Sequence, residues 1–73
     1  MTIRELDAVV LERDVAEHGL RRGDVGAVVA ILASDEFEVE FVRTSGATHA
    51  LVQLAAADVR HLADGDLPTV RPT

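Results

Sequence analysis

The segment spanning residues 36–54 carries apolar residues at mirrored positions around Ser45 and Gly46, and this pattern constrains the fold more than any other feature of the chain. Folding the segment at that point sets three apolar pairs opposite each other: Phe37 with Leu54, Val39 with Val52, and Phe41 with Ala50. Side chains alternate between the two faces of a strand, so a single register places every pair on one face. We therefore expect a β-hairpin with a loop at residues 44–47, an apolar core face, and Glu38 and Glu40 facing away.

Two further strands and a long loop precede this hairpin. Residues 7–11 (DAVVL) are rich in β-branched side chains and predict a short first strand, and the charged, glycine-containing residues 12–23 predict a long loop. Residues 25–32 (VGAVVAIL) form an apolar run bounded by turn residues, which predicts a central strand. A turn at residues 33–36 is then expected to pair strand two with strand three as follows: Leu32 with Phe37, Ala30 with Val39, and Val28 with Phe41.

The order of these elements predicts an all-β fold. Residues 55–58 are expected to form one helical turn and residues 59–62 a short closing strand. We expect a small SH3-like barrel of about five strands over residues 1–62, with a long first loop and one short helical turn before the last strand. Residues 63–73 contain a glycine and two prolines and are expected to be a loosely ordered tail.

Charge and composition narrow the function classes. The formal net charge is −6, whereas a protein that binds nucleic acid normally presents a basic surface to the phosphates. There is no cysteine, which excludes disulfides and cysteine-ligated metals and favours a cytoplasmic location. The charged residues 1–7 do not resemble a signal peptide, and no apolar run is long enough to span a membrane. The absence of Trp and Tyr disfavours proline-rich peptide recognition.

The glycine-punctuated residues 19–29 (GLRRGDVGAVV) resemble a segment of KOW-type SH3-like barrels. Combined with residues 7–11, 38–41 (EVEF) and 58–60 (DVR), the pattern resembles a family of small bacterial proteins of unknown function, which share an EHGL-x-x-GDVG loop. The resemblance covers most of residues 5–62. It implies an SH3-like barrel similar to the β-subunit-like fold of nitrile hydratases and an association with bacterial toxin-type neighbours. It implies no catalytic residues.

Gly23 and Gly26 flank the entry to the second strand. We expect a positive φ or a close backbone approach at these positions, because either would exclude a Cβ. A phosphate-binding loop would require a helix start and a following Lys or Ser/Thr, and residues 25–32 supply neither.

The sequence contains residues that could serve a metal site or a catalytic site, but simpler interpretations account for them. The three histidines, His18, His49 and His61, are potential metal ligands with Glu17 or Asp58, but their spacing matches no metal motif, so no metal or cofactor is expected. The expected register places His49 opposite Val42 on the outer face. A nucleophile would have to come from the turn residues Ser34, Thr44, Ser45 and Thr48, with His49 as base. Glu38 and Glu40 have a spacing that suits acid–base catalysis but no cleft around them, so no catalytic residue is expected.

The face of the sheet opposite the core is the expected binding surface. An apolar strip bordered by polar side chains is predicted there, consisting of Val29, Ile31, Glu38, Glu40, Val42, Leu51 and Gln53. The alternative is that the chain's own N-terminal leader (residues 1–6), long loop or closing strand covers this strip. The long loop is a second candidate surface, with Glu17, His18, Arg21 and Arg22 as its recognition residues.

These observations predict a non-enzymatic protein-interaction module that forms a homodimer or binds a basic protein partner. Neither nucleic acid nor membrane is expected as a partner. The resemblance suggests an antitoxin- or immunity-like partner of a neighbouring gene product. Two alternatives stay open: an accessory barrel for a metalloenzyme of nitrile hydratase type, and a KOW-like RNA-binding module, which the negative charge disfavours.

Overall fold

In the described part of the chain, five β-strands form one antiparallel sheet. The structure, a computed structural model, describes residues 2–43 and 45–63. The strands, in chain order, are β1 (Ala8–Leu11), β2 (Val25–Ala33), β3 (Glu36–Val42), β4 (Thr48–Ala55) and β5 (Val59–His61). Two single turns of 3₁₀ helix occur, Ala16–His18 in the long β1–β2 loop and Ala56–Asp58 between β4 and β5. The all-β prediction, with its long first loop and short helical turn before the last strand, is confirmed. The predicted loosely ordered tail lies, apart from Ala63, outside the described residues.

The sheet is strongly curled, which follows from its strand order. The order is β4-β3-β2-β1-β5, so β4 and β5 are the two edges. A flat sheet of five strands would hold its edges about 19 Å apart, since neighbouring strands are spaced by about 4.8 Å. The chain passes from Ala55, the end of β4, to Val59, the start of β5, in four steps. Four residue steps span at most about 14 Å, so the sheet has to bend until its edges approach each other at this corner.

Curling encloses one hydrophobic core on the concave side of the sheet, here called the inner face. The buried apolar side chains of this core are Ile3, Val9, Leu11, Val15, Leu20, Val28, Phe37, Val39, Phe41, Val52, Leu54 and Val59. The predicted hairpin contributes five of them, so its apolar face is confirmed as a core face. Val15 and Leu20 come from the long loop and pair through a bridge between their backbones. The long loop therefore anchors itself in the core instead of extending freely into solvent.

The predicted pairing of β3 with β4 is confirmed over most of its length. Phe37, Val39 and Phe41 pair with Leu54, Val52 and Ala50, as the mirrored pattern required. At the turn, the register shifts by one residue, and Val42 pairs with Thr48 instead of His49. His49 is the extra residue of a β-bulge, and a bulge of this kind re-aims the side chains beside it. The prediction of His49 opposite Val42 is therefore wrong.

The predicted pairing of β2 with β3 is wrong, because β2 carries two bulges. The observed pairs are Val28 with Val39, Ala30 with Glu38, Ile31 with Phe37, and Ala33 with Glu36. The register shifts fall between Val28 and Ala30 and again between Ile31 and Ala33. Paired residues share a face of the sheet. Ile31 therefore lies on the side of Phe37, where it is 41 % exposed, and Leu32, the residue predicted for the core, is 49 % exposed.

Gly26 of β2 lies beside β3, where side chains and backbone of the neighbouring strand fill the space that a Cβ would need. A Cβ at this position would lie 2.7 Å from Val39 Cγ1, 2.8 Å from Phe41 Cε1 and 3.0 Å from the Glu40 carbonyl oxygen. Gly23 has a φ of +95°, in the region that favours glycine. The predicted close approach and positive φ are both found, one at each glycine.

Candidate protein-binding face

The convex side of the sheet, called the outer face from here on, carries a row of three carboxylates on β3. Alternation along β3 buries Phe37, Val39 and Phe41 and turns Glu36, Glu38 and Glu40 to the outer face, where each is half-buried. Alternate residues of a strand lie about 7 Å apart, which is shorter than the Debye length of about 8 Å at physiological ionic strength. The three formal charges therefore act as one acidic ridge.

Two of these carboxylates are oriented by side chains of β4. Thr48 Oγ1 donates a hydrogen bond of 2.6 Å to Glu40 Oε2, and Gln53 Nε2 donates one to Glu36 Oε2. Glu38 lies opposite Gln53 and has no hydrogen-bond or ion-pair partner for its side chain among the described residues. The ion pairs of the described chain involve Asp7, Glu12 and Asp58. None of them neutralises the acidic ridge.

Apolar side chains flank the ridge. Val42 is 58 % exposed, Leu51 is 51 % exposed and Val29 is 37 % exposed. Leu51 pairs with Glu40, and Val42 follows Glu40 on the same face. These exposures show that no described part of the leader, the long loop or β5 covers the three side chains. The outer face thus combines negative charge with exposed apolar area.

Six of the seven residues predicted for this surface lie on the outer face, and Ile31 does not. The β2 bulge at Val29 turns Ile31 toward the side of Phe37, as described above. Glu36 and Thr48 belong to the outer face but were absent from the predicted set. Period-two spacing from Glu38 would have identified Glu36. Thr48 had no sequence signal, because its position depends on the bulge at His49.

The predicted recognition loop occupies a different part of the molecule. Its four residues, Glu17, His18, Arg21 and Arg22, are exposed. The loop is held by the Val15–Leu20 bridge and by the backbone N–H of Arg22, which donates to Asp14 Oδ1 at 2.8 Å. His49 Nε2 donates to the His18 carbonyl oxygen at 2.8 Å, which ties the loop to the inner rim of β4. The structure does not bring the loop and the outer face together.

The bulge in β4 also separates the residues considered for catalysis. Thr48 contacts Glu40 on the outer face, while His49 contacts His18 on the inner rim, so these neighbours project from opposite faces. Ser45 accepts a hydrogen bond from the Ala47 backbone N–H inside the β3–β4 loop. Ser34 lies in the β2–β3 turn, and Thr44 lies outside the described residues.

The side chains of His49 and His61 have partners in different parts of the molecule. His61 Nε2 lies 3.1 Å from Asp7 Oδ2 and pairs with that carboxylate instead of with Asp58. Asp58 is engaged by Arg13, whose Nε donates to Asp58 Oδ1 at 2.8 Å. Within residues 2–43 and 45–63, no three His, Asp or Glu side chains are grouped closely enough to hold a metal ion.

Hydrogen bonds depress the pKa of two carboxyl groups, both away from the outer face. The Arg13 guanidinium lowers the pKa of Asp58 below its usual value, and the Ala55 backbone N–H adds to this effect. The Arg4 backbone N–H lowers the pKa of Asp7, with His61 as the second cause. The Arg13–Asp58 and His61–Asp7 pairings have no signal in the sequence, because their partners come together only when β5 pairs with β1.

A family model described as Domain of unknown function (DUF4926) matches residues 5–61 of the chain. The chain belongs to this family. The match to DUF4926 extends from the leader to β5, so it includes the outer face and the long loop. No curated protein and no solved structure matches the chain. The expected family of unknown function is thus confirmed, whereas the likeness to KOW and nitrile hydratase folds stays a prediction. None of the helical turns in the described part of the chain is long and apolar enough to cross a membrane.

Proposed function

We propose that this DUF4926 chain is a non-enzymatic, cytoplasmic protein-interaction module that binds a basic partner protein through its outer face. The observation that carries the proposal is the acidic ridge of Glu36, Glu38 and Glu40, which no ion pair of the described residues neutralises. Exposed Leu51 and Val42 beside the ridge supply apolar contact area. Specific protein interfaces combine these two ingredients, an apolar centre and complementary charge.

Electrostatics favours a basic protein over the other candidate partners. A negative net charge of 6 and a concentrated ridge accelerate encounters with a positive surface and slow those with a negative one. RNA phosphates would face the ridge directly, which disfavours the KOW-like RNA-binding alternative. A homodimer through the outer face would be isologous and would set each ridge near its own copy. Like-charge juxtaposition of this kind is unfavourable.

The fold and charge also support a finer proposal. The strand order and the curl of the sheet support an SH3-like barrel. A small acidic domain that covers a basic surface neutralises its partner without catalytic chemistry of its own. We therefore place the chain in an antitoxin- or immunity-like role toward the product of a neighbouring gene. No feature of the described residues favours the nitrile hydratase alternative.

The experiment compares two charge-reversal variants that change net charge equally. Glu38→Lys/Glu40→Lys reverses the ridge, and Glu5→Lys/Glu17→Lys reverses two exposed carboxylates outside the outer face. Each tagged protein is used to capture binding proteins from an extract of the source organism, and these are identified and quantified by mass spectrometry. Circular dichroism verifies that each variant is folded.

We expect the wild type and the Glu5/Glu17 variant to retain the same basic protein, and the ridge variant to retain at least about tenfold less, equivalent to about 1.4 kcal/mol. Capture should also weaken as salt is raised, because salt screens exposed charges. Equal retention by the ridge variant would contradict the proposal. Loss of capture in the Glu5/Glu17 variant alone would indicate that the partner binds the leader or the long loop instead of the outer face.

A further inference from the structure

Strand β4 offers a free edge to the outside of the sheet. It is the terminal strand of the order β4-β3-β2-β1-β5, and no described strand pairs with its second side. It is eight residues long, Thr48–Ala55, whereas the opposite edge, β5, has three residues and carries Arg60 and His61. Free strand edges are templates for pairing with another chain unless they are short, charged or interrupted by proline.

The edge of β4 has few of these protections. Its sequence, THALVQLA, contains neither a formally charged residue nor a proline. The bulge at His49 affects only the beginning of the strand and leaves the remainder in regular register with β3. Leu51 is half-exposed at the centre of this regular part. The edge is therefore open to pairing from Ala50 onward.

The hydrogen bond of Ala55 reveals which backbone groups point outward. The Ala55 N–H donates to Asp58 Oδ2 at 3.0 Å, so it points away from β3. Backbone groups alternate in direction along a strand, so Leu51 and Gln53 also direct their N–H and C=O groups away from β3. Asp58 already occupies the outward N–H of Ala55, at the end of the strand. Among the described residues, the outward N–H and C=O groups of Leu51 and Gln53 have no hydrogen-bond partner, so an added strand would find free donors and acceptors at these positions.

The acidic ridge determines which strand suits this edge. The side chains of Leu51 and Gln53 lie on the outer face beside Glu40 and Glu38, with which they pair. An added strand would lie about 10 Å from β3, two strand spacings away, and long basic side chains on its outer face can reach across β4 toward the ridge. A second copy of this chain suits the edge less well, because its β4 carries no formal charge and its net charge is also −6.

We propose that the β4 edge binds an extended, basic segment of the partner protein by antiparallel strand addition. This inference rests on the proposed function and specifies how its partner binds. In an antiparallel pair, residues that share a hydrogen-bonded position exchange both backbone bonds and project from the same face. The segment's basic residues therefore pair with Leu51 and Gln53, and their own amides face β4. The intervening residues have amides that face away.

This geometry permits a test with three synthetic peptides. The parent is an eight-residue peptide of alternating lysine and valine. One derivative carries N-methyl groups on the lysine amides and the other on the valine amides, so charge and composition are matched. Amide hydrogen exchange of the full chain is followed by NMR with each peptide in excess, with Leu51 and Gln53 as the reporting amides.

We expect the parent and the valine-methylated peptide to slow exchange at Leu51 and Gln53 by at least about tenfold, and the lysine-methylated peptide to have no such effect. Glu38→Lys/Glu40→Lys should abolish the protection given by the parent and by the valine-methylated peptide. Equal protection by both methylated peptides, or no protection at these two amides, would overturn strand addition. If peptide binding still required Glu38 and Glu40 in that case, the proposed acidic face would stand and only its mode of binding would be wrong.

Discussion

Arg13 and Asp58, which are 45 residues apart in sequence, form an ion pair at the corner where β4 leads into β5. The distance from Arg13 Nε to Asp58 Oδ1 is 2.8 Å, and Asp58 Oδ2 accepts from the Ala55 N–H at the end of β4. The Asp58 carbonyl oxygen accepts a further hydrogen bond from the Glu12 N–H. One residue thus connects the long loop, the end of β4 and the start of β5.

The Arg13–Asp58 pair predicts that acid weakens the fold. The pKa of Asp58 is lowered by Arg13, and that of Asp7 is lowered by the Arg4 N–H and His61. A carboxyl group whose pKa is lowered in the folded state stabilises the protein above its unfolded pKa, and this contribution is lost as pH falls toward the folded value. Stability should therefore decline as pH falls below the ordinary value of 3.8. Urea unfolding between pH 2 and pH 7 measures this dependence.

Asp58→Asn provides the control for this pH dependence. The variant should be less stable than the wild type at neutral pH and should lose less of its stability on acidification, since the asparagine side chain does not titrate. Arg13→Gln should weaken the same dependence, and the double variant should add little to either single change. An unchanged acid response in Asp58→Asn would show that the ion pair does not contribute to stability.

A side chain at Gly26 should lower the free energy of unfolding through steric crowding, and this effect can be separated from backbone strain. Gly26→Ala places a methyl group within 3.0 Å of Val39, Phe41 and the Glu40 carbonyl oxygen. Overpacking of this kind costs about 1–3 kcal/mol in the free energy of unfolding. Combining it with Val39→Ala, which removes the nearest methyl group, should cost less than the sum of the two single changes. Gly46→Ala is the comparison for strain alone, because Gly46 has a φ of +88° and no atom near its missing Cβ.

Two leucines of β4 lie on opposite faces of the strand, and truncating each should change stability by a different amount. Leu54 is 2 % exposed in the core, and Leu51, three residues earlier, is 51 % exposed on the outer face. Leu54→Ala should lower the free energy of unfolding by about 2–5 kcal/mol through the cavity it creates. Leu51→Ala should change it by about 0.5 kcal/mol or less. Chemical denaturation measures both, and similar losses would contradict the assignment of faces.

The hydrogen bond from His49 to the long loop should slow local opening of that loop. His49→Ala removes the hydrogen bond to the His18 carbonyl oxygen, which corresponds to about 0.5–1.5 kcal/mol. Amide exchange of Gly19 and Leu20, whose N–H groups bond within the loop, should accelerate. Thr48→Val, on the opposite face, should release Glu40 and leave loop exchange unchanged. Acceleration in both variants, or in neither, would contradict the opposite orientations of these neighbours.

The register of the hairpin was predictable because β3 alternates strictly. Its charged and apolar residues take turns, so a slip by one residue would bury Glu36, Glu38 and Glu40. The second strand carries no such signal. Residues 28–32 are all apolar, so inserting a bulge anywhere among them leaves the binary pattern unchanged. This is why the pairing of Ile31 with Phe37 and the exposure of Leu32 could not be inferred from the sequence.

The sequence by itself determined the fold class, the pairing of β3 with β4 and the acidic ridge on the outer face. Each of these depends on alternation along a strand, which is a local property of the chain. Tertiary structure alone decided the bulges at Val29, Leu32 and His49, the Arg13–Asp58 pair and the exposure of the β4 edge. The Arg13–Asp58 pair forms because the five-stranded sheet curls until the end of β4 approaches the start of β5, which joins residues whose spacing in sequence gives no indication of contact. Bulges accommodate this curl, and the rest of the β4 edge is left unpaired by any described strand.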